Sequence, residues 1–397
     1  MRERCSLEAA RRLVMEAAAL VGTEEVPLSL CAGRVLAQDV TAVMDVPPFD
    51  RSPYDGYALR AQDTAAASPD APAVLRVLED LPAGTLPKYE MMPGTAVQVA
   101  TGAPVPPGAD AVAPYERTEA GPGWVRVPCP VHSGANVVRA GEDLPQGVLL
   151  ARRGTVVDPS LLGVLASQGW ERVQTVRRPR VGILSTGGEL LDVGEPLTPG
   201  KIYNTSRYTL WAALSALGCE PVWLGRAEDQ TEAIAALLER GLASCDALVS
   251  TGGVSVGEHD LTPAAMERTG VRFLFRGVAC KPGMACAFGV RDGKLLCALS
   301  GNPVSALSSF HMLAAPALRA LAGRSSPAPF PVALQTPFPK ASPVTRLLWG
   351  RLELSGGRAE LRLSPRQGNA MLWGTVGCDT IAEVPAGSGP LAAGTIL

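Results

Sequence analysis

Histidine is scarce in this chain of 397 residues, and cysteine lacks the spacing of a metal site. The three histidines form no cluster, and none of the nine cysteines belongs to a Cys-x-x-Cys pair. Zinc sites and small disulfide frameworks need such patterns, so the sequence argues against both. We expect reduced thiols packed in hydrophobic cores, as is usual for a cytoplasmic protein.

The chain also lacks an excess of charge and any long hydrophobic run. Its 36 Lys and Arg residues face 38 Asp and Glu residues, for a net charge of −2. Nothing in this balance favours nucleic acid or an anionic membrane surface as a partner. No apolar stretch is long enough to span a bilayer, and the N-terminus has no apolar core of a signal peptide. The sequence therefore predicts a cytoplasmic protein with no membrane segment.

Turn-forming residues are abundant, with 42 glycines and 35 prolines, and the length predicts two to four domains. The first helix should begin at Ser6 and end at Gly22. Short strands broken by Gly and Pro then indicate an inserted β domain, and a linker at residues 324–329 precedes a second set of short strands. The predicted units are a discontinuous α+β N-terminal module (1–45 and 144–176), a small inserted β domain (46–143), a central α/β domain (177–325) and a C-terminal β domain (326–397).

The central segment alternates buried strands with amphipathic helices. Its predicted strands are residues 180–185, 221–224, 247–250 and 294–299. This alternation is typical of a parallel, doubly wound sheet. Ligands of such sheets bind outside the carboxyl ends of the strands. The fold class is therefore multidomain α/β.

Two glycine-containing loops follow strands of this sheet. Gly252, Gly253 and Gly257 lie within six residues, and this density indicates close approach of the backbone to a ligand rather than an ordinary loop. Residues 300–305 open a helix whose free N–H groups could hold a phosphate, although an ordinary capped helix start explains the same string. Neither loop has the lysine of a P-loop or the spacing of a Rossmann loop, which excludes an ordinary NTPase and a dehydrogenase.

Carboxylates follow three of the strands. Glu189, Asp229 and Asp260 should converge on the carboxyl edge of a parallel sheet. Hard oxygen ligands suit Mg²⁺ shared with substrate phosphates, whereas a single carboxylate in such a place is more often a helix cap. Lys281 could neutralise an anionic ligand, or it could be an ordinary surface lysine.

Taken together, these strings resemble one family over nearly the whole chain. The chain is similar to the molybdopterin molybdenumtransferases, the MoeA proteins and the C-terminal domain of gephyrin. The resemblance is carried by Pro48-Phe49-Asp50, Asp55-Gly56-Tyr57-Ala58, Thr101-Gly102-Ala103-Pro104, Gly141-Glu142-Asp143, Ser185-Thr186-Gly187, Glu189-Leu190, Gly252-Gly253-Val254-Ser255-Val256-Gly257, Lys281-Pro282-Gly283 and Gly301-Asn302-Pro303-Val304-Ser305.

The resemblance implies the last step of molybdenum cofactor synthesis. Adenylylated molybdopterin would be bound, molybdate (or tungstate) inserted at its dithiolene, and AMP released with the help of Mg²⁺. It implies a central molybdopterin-binding domain like that of MoaB and MogA, in an elongated homodimer. The site would lie between the central domain of one subunit and the N-terminal segment of the other. Candidate protein partners are the molybdopterin adenylyltransferase and the molybdoenzymes that receive the cofactor.

The resemblance also assigns roles to residues. The implied catalytic residues are Asp55, Thr101, Asp143, Glu189, Asp229, Asp260 and Lys281, of which Glu189, Asp229 and Asp260 would hold the metal. The implied residues that bind the pterin phosphate and nucleotide are Thr186, Gly187, Gly252, Gly253, Ser255, Gly257, Ser300, Gly301, Asn302, Pro303 and Ser305.

Four departures from the family pattern leave an alternative open. Gly188 replaces an aspartate, Met284-Ala285 replaces Lys-Pro, Ser300 replaces a proline, and residues 51–54 differ from the usual Asn-Ser-Ala-Met. The alternatives are a catalytically weak paralogue that acts as a cofactor-binding or scaffold protein, and a tungstate-preferring transferase.

Overall fold

The structure, a computed structural model, describes residues 5–255 and 261–397. Its centre is a six-stranded sheet that confirms the α/β class. In spatial order its strands are Glu220–Ala227, Arg180–Thr186, Ala247–Thr251, Lys294–Leu299, Cys286–Arg291 and Arg272–Arg276. A small parallel pair, Leu190–Leu191 with Ile202–Tyr203, lies beside its carboxyl edge.

The parallel pairing is confirmed for the four predicted strands, and two further strands extend the sheet. Cys286–Arg291 and Arg272–Arg276 run antiparallel to their neighbours. Cys286–Arg291 leads into Lys294–Leu299 through a two-residue turn in which Asp292 has φ 51° and Gly293 has φ 75°. Two consecutive positive φ angles make a tight hairpin, so the chain returns antiparallel instead of crossing over.

Helices cover both faces of the central sheet, as a doubly wound fold requires. Ile183 packs on one face with Leu210 and Phe310, and the next residue, Leu184, packs on the other face with Ile234. This alternation follows from the two-residue period of a strand. The helices among the described residues are Leu7–Glu16, Pro159–Ser167, Thr205–Ala216, Thr231–Ser244, Thr262–Arg268, Pro303–Ser309 and Ala315–Leu321, the last two joined by a π-helical turn, Phe310–Ala314.

The first helix is shorter than predicted. Ser6 caps it as expected, accepting a hydrogen bond from the Ala9 N–H at 3.1 Å. The helix ends at Glu16 rather than at Gly22. The N–H of Val21 donates to the carbonyl of Leu321 at 3.1 Å. Residues 17–22 therefore leave the helix and lie beside the end of the helix Ala315–Leu321. A tertiary contact here overrides the local helix propensity of the alanines.

The segments before and after the inserted strands pair with each other. Thr23–Pro27 pairs with Arg172–Val176, and Val40–Thr41 pairs with Leu149–Ala151. Between them lies a second six-stranded sheet, which we call the inserted sheet. Its strands are Gly56–Leu59, Ala73–Leu81, Thr95–Val99, Ala111–Pro114, Glu119–Gly121 and Trp124–Val127.

A third sheet lies at the C-terminus and includes a strand from the central region. Cys280–Lys281 pairs in parallel with the start of Thr345–Ser355. The remaining strands are Ala333–Leu334, Arg358–Leu363 and Thr380–Val384. Short 3₁₀ turns complete the chain at Leu28–Leu30, Ala61–Thr64, Tyr115–Arg117 and Leu372–Thr375. Within residues 5–255 and 261–397, no helix is long and apolar enough to cross a membrane.

A half-buried ion pair ties the entry of the first central strand to the rest of the sheet. Arg177 donates to both carboxylate oxygens of Asp246, at 2.9 and 2.7 Å, and the Arg180 N–H donates to the same carboxylate at 2.7 Å. Burial alone would raise the pKa of Asp246, but these donors outweigh it, and the pKa lies below its ordinary value. The ionised carboxylate is therefore favoured by folding.

We expect Asp246→Asn to lower the free energy of unfolding by about 1–2 kcal/mol at pH 7, because both groups are partly exposed. The folded pKa is depressed, so the stability is present above the unfolded pKa of about 4 and is lost as pH falls through the folded pKa. Urea unfolding of both proteins at pH 7 and near pH 3 measures this, with the exposed Asp70→Asn as control. A difference that stays constant or grows on acidification would contradict the assignment.

Candidate functional site

The site is built where the four parallel strands of the central sheet end. These strands end at Thr186, Ala227, Thr251 and Leu299. The loops that follow them carry the predicted binding residues of the central region. The antiparallel strand Cys286–Arg291 begins opposite Leu299, which brings the preceding Lys281 loop to the same edge.

Two of these loops touch through their backbones. Gly252 has φ 96°, and a Cβ atom there would lie 2.4 Å from the carbonyl oxygen of Thr186. Its N–H donates to the Leu299 carbonyl at 3.0 Å. Packing between strand ends therefore requires glycine at residue 252 by itself, and the approach of a ligand to this loop stays a prediction. Gly257 lies outside the described residues.

Gly301 differs from Gly252 in having open space around it. A Cβ atom there would meet only the Cα of Gly252, at 3.6 Å, and its φ is ordinary. Gly301 and Asn302 are exposed, and Ser255 is exposed on the neighbouring loop. This part of the edge is where a ligand can approach the backbone.

The helix start after Gly301 is not free to hold a phosphate in the predicted way. The N–H groups of Val304 and Ser305 donate to the carbonyl of Asn369, at 3.0 and 3.2 Å. Pro303 has no N–H, and the Asn302 N–H donates to the Ser300 hydroxyl at 3.2 Å. The prediction of a free N–H cradle is therefore wrong for these positions, because a turn of the C-terminal region covers the helix start.

Two carboxylates stand at neighbouring strand ends. Asp229 accepts a hydrogen bond from the Gly188 N–H at 3.2 Å, and both Glu189 and Asp229 are exposed. Lys201 donates to the Gly188 carbonyl at 2.5 Å, so a cation lies beside them. Asp260, the third predicted metal ligand, lies outside the described residues. In the described part of the chain, no three metal-ligating side chains come together.

Polar side chains beneath the loops include one residue that sequence reasoning missed. Asn204 is 1 % exposed and caps the helix Thr205–Ala216 by accepting the Arg207 N–H at 3.1 Å. Its Nδ2 has no hydrogen-bond partner among the described residues. Beside it the buried hydroxyls of Ser185 and Thr251 are 3.1 Å apart, and Thr186 is also buried. The sequence signal was a capping residue just before a helix.

Lys281 is exposed on a loop with a defined backbone. Its strand pairs with the C-terminal sheet, and the Ser309 hydroxyl donates to the Gly283 carbonyl at 3.1 Å. Met284, where the family pattern has a second lysine, is half-buried, and its carbonyl accepts the Val278 N–H at 3.1 Å. The loop therefore presents one cation at a fixed place.

The remaining predicted residues lie with the inserted sheet. The Asp55 carboxylate accepts the Thr101 N–H at 2.7 Å and the Thr101 hydroxyl at 2.9 Å, and these bonds lower the pKa of Asp55. Asp143 is exposed, and its N–H donates to the Val46 carbonyl at 3.1 Å. Within the described residues, no hydrogen bond or ion pair connects Asp55, Thr101 or Asp143 to Glu189 or Asp229.

Asp50 is a structural neighbour of this second group. It accepts from the Arg139 guanidinium at 2.5 Å and from the Ala140 N–H at 2.8 Å. The Ala140 N–H, with smaller help from Arg139, lowers the pKa of Asp50 against partial burial. These bonds hold together the two chain segments that enter and leave the inserted sheet.

Comparison with known proteins places the N-terminal region, with its inserted sheet, and the central region in one family. Residues 5–169 match the MoeA N-terminal region (domain I and II), and residues 182–320 match a probable molybdopterin binding domain. The chain is 38 % identical to a molybdopterin molybdenumtransferase of Bacillus subtilis, over 82 % of this chain and 77 % of that protein. It is 30 % identical to one from Staphylococcus aureus, over 98 % of this chain and 93 % of that protein.

Solved structures agree with this assignment. A molybdopterin biosynthesis MoeA protein from Pyrococcus horikoshii superposes with a TM-score of 0.87 at 32 % sequence identity, covering 99 % of this chain and 98 % of that chain. A second structure of that name gives a TM-score of 0.81 at 30 % identity, covering 100 % and 99 % of the two chains. The similarity therefore extends over all the sheets described above.

The surroundings of Gly252 and Gly301 predict different responses to an added methyl group. Gly252→Ala should destabilise the protein by at least about 2 kcal/mol, because it combines a positive φ with a backbone clash. Gly301→Ala should stay within about 0.5 kcal/mol of wild type, since its surroundings are open. Urea unfolding measures both, with Gly22→Ala as a control at another open position. Equal destabilisation by the two variants would refute the geometry described here.

Proposed function

Because the chain belongs to the molybdopterin molybdenumtransferases, enzymes of molybdenum cofactor biosynthesis, we propose that the carboxyl edge of its central sheet binds adenylylated molybdopterin. Molybdate is inserted at the dithiolene and AMP is released. The observation that supports this most directly is the meeting of exposed carboxylates, an exposed cation and an open backbone at Gly301 along one sheet edge. A phosphorylated ligand needs cations and N–H donors, and its metal needs hard oxygens.

Mg²⁺ fits the donors that this edge provides. Glu189 and Asp229 are exposed carboxylates at adjacent strand ends, and Asp229 uses Oδ2 to accept the Gly188 N–H. They would hold the ion together with water and substrate oxygens, as Mg²⁺ prefers, and we propose Asp260 as a further ligand. When bound, the ion reduces the negative charge of the phosphoanhydride.

The chain's own cations would position the anions. Lys201, beside Gly188, would face the phosphates, and Lys281 would face the oxyanion. Molybdate is a tetrahedral dianion and needs such donors, whereas carboxylates alone would repel it. Tungstate has the same charge and nearly the same size, so these donors do not separate the two. The Ser300–Gly301–Asn302 turn and the glycine loop would contact the nucleotide side.

We propose that the active site needs two copies of the chain. Asp55 and Thr101 form a hydrogen-bonded pair with an ionised carboxylate, yet among the described residues of one chain no hydrogen bond or ion pair joins them to Glu189 or Asp229. A homodimer in which the inserted sheet of one copy faces the central sheet of the other would unite them, with Asp143 nearby. The balanced charge, and the burial of seven of the nine free thiols, fit a cytoplasmic enzyme.

The scaffold alternative receives less support. The comparisons are with transferases over most of the chain, and Glu189, Asp229, Asp55 and Lys281 are all present and exposed. Gly188 removes one carboxylate but leaves the Asp229 contact to its N–H in place. The substitutions therefore modify a site whose main donors remain.

Asp229→Asn should reduce AMP release at least about a hundredfold at saturating Mg²⁺, because an amide is a poor ligand for a hard cation. The amide oxygen can still accept the Gly188 N–H, so the loop and the thermal unfolding temperature should be preserved. The measurement is AMP released from adenylylated molybdopterin with molybdate, as a function of Mg²⁺. Glu228→Gln removes a charge from the adjacent exposed residue and should behave like wild type. Unchanged turnover in Asp229→Asn would exclude its metal role.

Asp55→Asn and Asp229→Asn should complement each other. If the site is shared, a mixed dimer has one intact site, and random mixing after dissociation restores roughly a quarter of wild-type activity. Each variant alone should be nearly inactive. Differently tagged subunits, copurified through both tags, verify that mixed dimers formed. Mixed dimers without recovered activity would show that the two groups do not share a site across subunits, and a monomer mass in sedimentation would exclude the dimer itself.

A further inference from the structure

A cavity of about 620 Å³ opens at the opposite edge of the central sheet, where its strands begin. It is lined by Glu220 at the start of a central strand and by Gly33 of the N-terminal segment. Arg178 and Arg324 also line it, from the chain segments that enter and leave the central region. The volume is in the range of small-molecule sites. None of the residues discussed for the proposed reaction belongs to it.

The charges around this cavity are not balanced. Within residues 5–255 and 261–397, no carboxylate forms an ion pair with Arg178, Arg324 or the neighbouring Arg319. Glu220 lines the cavity but accepts from Arg180 at 3.3 Å, and the nearby Asp246 is taken by Arg177. Arg178 and Arg324 therefore line the cavity without a paired carboxylate, and Arg319 lies close enough to act electrostatically on Arg324.

The local electrostatics agree with this geometry. Partial burial, followed by the positive charges of Arg319 and Arg178, lowers the pKa of Arg324. Arg324 is nevertheless held in place, since its guanidinium packs against Gly218 and donates to the Gly33 carbonyl. Holding like charges together costs free energy that a bound anion would recover.

One wall of the cavity is aromatic. Trp211 lies on the helix Thr205–Ala216, is 42 % exposed and lines the cavity together with Ser215. An exposed indole can stack on a flat ring, while guanidinium groups bind phosphate through paired hydrogen bonds. The two features together select a molecule with both a phosphate and a flat ring.

We propose that this cavity, which we call the arginine cavity, binds a phosphate monoester that carries a flat aromatic ring, of the nucleoside monophosphate class. Arg178 and Arg324 bind the phosphate, Arg319 adds to the positive potential, and Trp211 stacks on the ring. The site lies outside the edge proposed for catalysis, so the inference does not depend on the proposed reaction. Occupancy would bridge the N-terminal segment and the central sheet.

Tryptophan fluorescence of the full-length protein tests this, with AMP as the probe. AMP should quench a component of the emission that is absent in Trp211→Phe. Arg178→Gln should raise the concentration for half-maximal quenching about five- to tenfold, because it removes one charge-assisted contact. Arg178 is exposed, and its side chain makes no hydrogen bond or ion pair among the described residues, so the fold should be kept. Arg358→Gln, an exposed arginine of the C-terminal sheet, should change nothing.

Two further measurements test the phosphate and the ring of the ligand separately, and distinguish the arginine cavity from the proposed catalytic edge. Adenosine lacks the phosphate and inorganic phosphate lacks the ring, so each should bind the arginine cavity more weakly than AMP. Asp229→Asn should leave the Trp211 signal unchanged, which separates this cavity from AMP bound at the catalytic edge. Equal quenching by AMP in wild type and Trp211→Phe would overturn the proposal. So would an AMP affinity that Arg178→Gln does not alter, or adenosine binding as tightly as AMP.

Discussion

The candidate site depends on how closely two strand ends of the central sheet approach each other. Gly252 lies against the Thr186 carbonyl, at a distance that a Cβ atom could not occupy. This contact brings the loops after Arg180–Thr186 and Ala247–Thr251 onto one surface and leaves Gly301 open beside them. Exposed carboxylates and cations can then face one ligand, because their backbones are held by packing instead of by the ligand.

The C-terminal region contributes to the same surface by capping and pairing. The Asn369 carbonyl accepts the N–H groups at the start of the helix Pro303–Ser309, and Trp349 donates to Ser308 at 2.9 Å in the buried interface. The strand Cys280–Lys281 extends the C-terminal sheet. These contacts fix the Lys281 loop and the Gly301 turn relative to each other. The C-terminal sheet thus has a positioning role, and of the residues that the sequence singled out it includes Lys281.

The parts of the fold that sequence reasoning predicted are those with a local signal. Buried runs such as residues 180–185 have few alternatives to a central strand, and Ser6 marks the start of a helix through capping chemistry. The antiparallel hairpin, which was not among the predictions, also has a local signal in Asp292-Gly293. The early end of the first helix had none, because the contact between Val21 and Leu321 joins distant parts of the chain.

The same distinction holds for the site. The neighbourhood of Glu189 and Asp229 follows from their positions after strands, so it could be expected. The resemblance implied Asp55 and Thr101 as site residues, but their hydrogen-bonded pairing was not predicted. The hydrogen bonds of the Asn369 carbonyl to the helix start could not be expected, since Asn369 comes from a turn of the distant C-terminal region. Nor could the arginine cavity, whose members come from separate segments and show no common pattern along the sequence. Long-range packing decides which predicted donors stay free and which new ones come together.

Two of the four departures from the family pattern, Gly188 and Met284, change the local charge. Gly188 removes a carboxylate next to Asp229, and Met284 removes a cation from the Lys281 loop, so the net charge of the edge is unchanged. Space remains at Gly188, because an added Cβ atom would meet only the Asp229 carboxylate, at 4.0 Å. Lys201 donates to the Gly188 carbonyl, so a cation lies beside the position where the family pattern has a carboxylate. This edge of the sheet thereby keeps both signs of charge, with Lys201 beside Gly188 and Lys281 on its own loop.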